Sequence, residues 1–188
     1  MTASAEDGYL FTHPLTRDAA YQLLPPSLRA RMHDLAAQSL EALSGNALDA
    51  SSPEIAAHLH DAAAATDDAL QRGALLLREI AACERGAKWL VRQHRHEPAR
   101  ALLEWVRANA AAAARERLAA ATSIAKSYEI TGHLRESERI ALDAAGGDPL
   151  DPAGADSDLR APALLVAGSV ALLLGAVDAA LARFETVA

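Results

Sequence analysis

The sequence predicts an all-α protein, built as antiparallel helix hairpins stacked into a solenoid behind a short N-terminal helical region. Three observations lead there. Alanine fills 47 of the 188 positions and leucine 28, while valine and isoleucine together supply 11; the first two are the strongest helix formers, and β-branched residues favour strands. Helix caps and breaks recur along the chain, and no stretch shows clear period-2 alternation. Small residues recur at fixed distances around three helix breaks. An apolar fraction of 51% supplies a core and excludes a disordered chain.

The elements follow in order. Residues 1–8 read as a flexible lead and Tyr9-Leu10-Phe11 as a short apolar run. Thr12 caps a helix whose first turn holds His13 and Pro14 and which stops at Pro25-Pro26. Ser27 is expected to cap the next helix, whose Leu28, Met32, Leu35, Leu40 and Leu43 recur at helical spacing until Gly45-Asn46 ends it. Asn46 to Ser52 reads as a loop, and Ser51-Ser-Pro-Glu as a capping box opening a helix to about Ala65. Thr66-Asp67-Asp68 caps a long helix to about Arg92, with its acids at the positive end of the dipole. Ala110 to Ala114 is expected to be helical from propensity alone, and Gly146 to Ala161, rich in Gly, Pro and Asp, to be a loop.

Self-similarity organises the second part of the chain. Segments beginning at Ile80, Leu118 and Ala161 each read as helix, break, helix, with breaks at His94, Gly132 and Gly175. Five residues after each break stand Ala99, Ser137 and Ala180; seven before it stand Ala87, Ala125 and Gly168; four before it stand Leu90, Tyr128 and Ala171. Small residues at such positions let two helices approach closely. The pattern resembles the tetratricopeptide repeat, a helix–turn–helix unit of about 34 residues, with Tyr128, Gly168, Ala180 and Phe184 at its small and aromatic positions. That resemblance implies a right-handed solenoid. The starts are 38 and then 43 residues apart, so the connectors carry insertions. The third repeat ends with the chain and without a polar capping helix. Its apolar face around Leu165, Leu172, Leu173 and Phe184 predicts either a further helix or a dimer formed through this uncapped C-terminal repeat.

The N-terminal part carries a second resemblance. Phe11, His13, Leu15, Arg17, Asp18 and Tyr21, followed by Arg29, His33, Ala36 and Ala37, resemble the junction after the ATPase module in bacterial signalling ATPases of the STAND type. There a winged-helix-like region precedes helical repeats. The resemblance divides the chain into residues 1–46, a remnant of the winged-helix-like region, and residues 47–188, the repeats. It implies a non-catalytic sensor arm of a larger protein, and it makes His13 the candidate for sensing nucleotide in the full-length context. A structural role at the helix start is the alternative for His13. No Gly-x-x-x-x-Gly-Lys-Ser/Thr occurs, so no loop of this sequence cradles phosphates.

Chemistry is sparse elsewhere. No catalytic motif is present, so no enzyme activity and no cofactor are expected. His58 and His60, like His94 and His96, stand two apart, and residues two apart on a helix face different ways, so no metal site is expected. Cys83, the single cysteine, reads as a buried thiol in a reducing, cytoplasmic setting. The net charge of −7 argues against nucleic acid as the main partner. Ala161 to Val177 is 17 residues without a charge, short of the roughly 20 that span a bilayer and interrupted by two glycines, so no membrane partner is expected. One pattern points to binding. The only lysines, Lys88 and Lys126, are 38 apart and so occupy one repeat position, on the face that lines the groove in tetratricopeptide proteins. Glu84, Lys88, Arg92 and Lys126, with Ser169 at the same position of the third repeat, are the candidate groove residues. Arg72 to Arg117 holds ten bases and five acids, so a protein or peptide partner, acidic or bound by its C-terminus, is expected. Two alternatives stand beside this: a DNA-binding regulator fragment reading through residues 13–43, and a small-ligand sensor.

Overall fold

The computed structural model describes residues 14–146 and 157–187, and all its regular structure is helical. Its elements are α1 (Pro14–Gln22), α2 (Pro26–Ser44), a 3-10 turn (Gly45–Ala47), α3 (Leu48–Ala65), α4 (Ala69–Arg92), α5 (His96–Ala108), α6 (Ala114–Ile130), α7 (Leu134–Ala145), α8 (Ser157–Leu173) and α9 (Val177–Glu185). From α3 onward each helix packs against its predecessor, and α6 also packs against α8. No helix among the described residues is long and apolar enough to cross a membrane.

Three hairpins, α4–α5, α6–α7 and α8–α9, repeat one turn. His94, Gly132 and Gly175 all take left-handed backbone conformations, with φ of 57°, 81° and 80°. Each turn closes with the same hydrogen bond: the Arg95, His133 and Ala176 amides donate to the carbonyls of Leu90, Tyr128 and Ala171 at 2.9, 2.9 and 2.8 Å. This is the 6→1 bond by which a left-handed residue ends a helix. The breaks expected from the sequence therefore lie at equivalent points of three like hairpins. His94 carries a side chain through a conformation that glycine adopts without steric cost.

Small residues let the hairpin legs meet. Ala99, Ser137 and Ala180 have no exposed surface, and Ser137 Oγ donates to the Ala125 carbonyl across its hairpin at 2.7 Å. In the last hairpin a Cβ on Gly168 would clash with the Phe184 ring, so the glycine makes room for it. Ile55, Leu59, Val106, Ile124 and Val170 are the larger apolar side chains sealed between the layers. Ion pairs bridge helices at both ends: Arg78 of α4 reaches Asp34 and Glu41 of α2 at 2.6 and 2.9 Å, and Arg183 of α9 reaches Glu138 of α7 at 2.8 Å.

Four local expectations are corrected. Ser27 does not cap α2; Pro25 takes the cap position and Pro26 the first turn, where a missing N–H costs nothing. Asn46 to Ser52 is not a loop, because Gly45 (φ 47°) reverses the chain and the 3-10 turn leads straight into α3. Pro53 thus lies inside α3 rather than at its start. Gly86 of α4 admits its ring, since a Cβ there would stand 3.1 Å from Pro53. Ala110 to Ala113 lie in a connector. Asn109 Oδ1 accepts from the Ala111 amide at 2.9 Å, Arg117 donates to the Ala112 carbonyl, and these local bonds outweigh a small propensity. Helix α8 already begins at Ser157, so the expected loop to Ala161 is shorter at its C-terminal side, and residues 147–156 of it lie outside the described residues.

The Gly168–Phe184 contact yields a sign test. In a helix interior Gly→Ala normally gains about 1 kcal/mol. Here Gly168→Ala is expected to lose about 1–3 kcal/mol by overpacking, and in a Phe184→Ala background to become neutral or stabilising. Chemical denaturation of the four proteins in this cycle measures both.

Candidate functional site

The layering leaves one gap between first helices. Helix α8 lies directly on α6, but α4 and α6 make at most marginal contact. Between them runs a groove of about 710 Å³. Glu84, Lys88, Val91 and Arg92 line it from α4, and Ala119, Ser123, Lys126 and Ile130 from α6; Leu103 of α5 contributes from below. The four α6 residues are exposed and spaced i, i+4, i+7, i+11, one stripe of the helix facing the gap. Alanines 87, 119 and 120 keep both walls low, so the depression is broad and partly apolar.

The structure therefore brings together Glu84, Lys88, Arg92 and Lys126. Lys88 and Lys126 each stand six residues before a left-handed turn, one on either wall. Both are exposed, and among the described residues neither makes an ion pair. Arg92 is held by Asp49 of α3 at 2.6 Å. Burial pushes the Glu84 carboxyl above its ordinary range; Glu116 across the groove raises it further and Lys88 opposes the shift. At the α6 end, His96 and Arg100 of α5 hydrogen-bond to Ser127 Oγ at 3.2 and 3.1 Å, and the Arg100 guanidinium lies 4.3 Å from the centre of the Tyr128 ring. These contacts fix the wall against α5.

Ser169 does not join the groove. It stands at the matching position of α8, but α8 closes against α6 instead of leaving a gap, and its Oγ donates to the Leu165 carbonyl at 3.0 Å. His13 lies outside the described residues. Three residues of the N-terminal resemblance do converge: Tyr21 OH lies 2.8 Å from His33 Nε2, and the Arg29 guanidinium lies 5.5 Å from the Tyr21 ring centre. His33 Nδ1 in turn lies 3.0 Å from His58 Nδ1, fastening α2 to α3. His60, two residues on, turns away to Glu79 of α4 at 3.0 Å. Cys83 is buried, and burial, then Glu79 and Glu84, push its thiol up to about 12, so it stays protonated and unreactive at neutral pH.

Sequence reasoning missed the α6 wall. Ala119, Ser123 and Ile130 share a helical stripe with Lys126, a spacing visible in the sequence, but small and mixed side chains give it no chemical signature. Arg115, Glu116 and the floor residue Leu103 were also missed, because their membership depends on how far α4 and α6 stand apart. No protein-family model, curated protein or solved structure matches the chain.

The groove's electrostatics are checked by titrating Glu84. Its carboxyl is held above the ordinary carboxylate range by burial and by Glu116 and pulled back by Lys88. Glu116→Gln is expected to lower its pKa and Lys88→Ala to raise it. Carbon-13 NMR of the side-chain carboxyl across pH 3 to 8 reads both directions.

Proposed function

We propose that this chain is a non-catalytic interaction arm, of tetratricopeptide type, that binds a protein or peptide in the groove between α4 and α6. The observation that carries the reading is the convergence of Glu84, Lys88, Arg92 and Lys126 on one open, partly apolar depression. Such grooves take peptides by burying apolar side chains while rim charges set specificity. The repeated left-handed turns and small-residue contacts support the tetratricopeptide assignment, with the connector lengths as its departures.

The larger setting we propose is a bacterial STAND-type signalling ATPase acting in the cytoplasm, with this arm relaying partner binding to the nucleotide module. The contact of Tyr21, Arg29 and His33 supports it, because residues common to the motif pack as a unit. In that setting His13 is the nucleotide-sensing candidate. A coding sequence upstream that specifies a Gly-x-x-x-x-Gly-Lys-Ser/Thr loop is the expected finding, and an unrelated upstream sequence contradicts the setting. A small-ligand sensor is the second reading, favoured by a groove volume of about 710 Å³ that matches small-molecule pockets.

The interaction reading is tested in cells with a photo-crosslinking amino acid at Ser123, on the groove wall, and at Arg135, on the exposed face of α7. Protein adducts are expected at position 123 and not at 135, and lost when Lys88→Glu/Lys126→Glu is added. Equal adducts at both sites, or none at 123, overturn the reading.

A further inference from the structure

We propose that the occupant of the α4–α6 groove is an acidic segment of a partner protein, with spaced carboxylates on Lys88 and Lys126 and apolar side chains beside them. This rests on the reading of the groove as an interaction site.

Charge carries the choice. The protein as a whole is acidic at −7, yet the groove is lined by Lys88, Arg92, Arg115 and Lys126 against Glu84 and Glu116. Asp49 neutralises Arg92, which leaves the two lysines and Arg115 facing two acids. The track also continues over α4. A shallower depression of about 280 Å³, lined by Asp49, Ala81 and Arg85, shares Glu84, Lys88 and Arg92 with the groove. Lys88 thus stands at the crest of one continuous path, within reach of a ligand on either side.

The interleaved acids decide which anion fits. A nucleic-acid strand carries one charge per nucleotide and would press some of them on Glu84 and Glu116. A peptide places its carboxylates only where residues allow, so acids meet Lys88 and Lys126 while uncharged residues pass the two glutamates. About one turn beyond the lysines, Val91 and Ile130 offer apolar contact from the two walls and Leu103 from α5, and the alanines leave room for a backbone to come close.

Selection of random peptides displayed on phage against the full chain tests the idea. The selected pool is expected to be enriched in Asp and Glu over the input. Its members should weaken with salt, as exposed charge pairs do, and bind Lys88→Glu/Lys126→Glu at least about tenfold more weakly, a difference of about 1.4 kcal/mol. Ser123→Trp, which fills the groove without changing charge, should block the same peptides. A neutral or basic pool that Ser123→Trp still blocks overturns the acidic occupant and leaves the groove reading standing. A pool that binds Ser123→Trp unchanged, or an empty selection, overturns the groove reading itself. Single-stranded DNA displacing the selected peptides at equal concentration makes nucleic acid the occupant and overturns the proposal.

Discussion

Close helix contact through side chains of alanine size or smaller is the constraint on which this structure rests. Ala99, Ser137 and Ala180 are sealed between hairpin legs, Gly86 admits the Pro53 ring, and Gly168 admits Phe184. In these last two contacts a ring is met by the smallest residue opposite. A chain with so few aromatic residues has little bulk to bury, so its stability depends on many short contacts with few voids. The left-handed turns at His94, Gly132 and Gly175 close the three hairpins with the same backbone hydrogen bond, and the small residues then hold the legs.

The same constraint shapes the groove by being relaxed in one place. Helices α6 and α8 close upon each other, but between α4 and α6 the layer stays open, with Leu103 of α5 as its floor. The Asn109 to Ala113 connector separates α5 from α6 and is fastened by Asn109, Glu116 and Arg117 rather than by helix continuation. One consequence is that Glu116 and Arg115, at the start of α6, come to lie on the groove rim. Two walls that carry the same residue at the same repeat position then face one another as a pair of lysines.

Much of the fold was legible in the sequence because helix punctuation is local. Asp68 caps α4 through the Leu70 and Gln71 amides, and α4 ends at Arg92, as the acids and the break at His94 predict. Features that depend on neighbours were harder to read. Pro53 looks like a helix start until Gly86 of the next helix is seen beneath it. Ala110 to Ala113 look helical until Arg117 is seen to take the Ala112 carbonyl. The site divides along the same line. Lys88 and Lys126 could be paired by counting, since repeat spacing fixes equivalent positions. Ser169 matches them by the same counting yet lies outside the groove, because the count carries no information on whether a gap or a packed helix lies beside it.

The working surface proposed for this chain is the opening between α4 and α6. Amide chemical-shift mapping of the isotopically labelled protein, titrated with an acidic peptide recovered by selection, tests it most directly. Shifts are expected at residues 84–92 and 115–130, with Leu103 and its neighbours following. Shifts gathered instead on the exposed apolar residues of α8 and α9, such as Leu173 and Leu181, or on α2 around Met32, would contradict it.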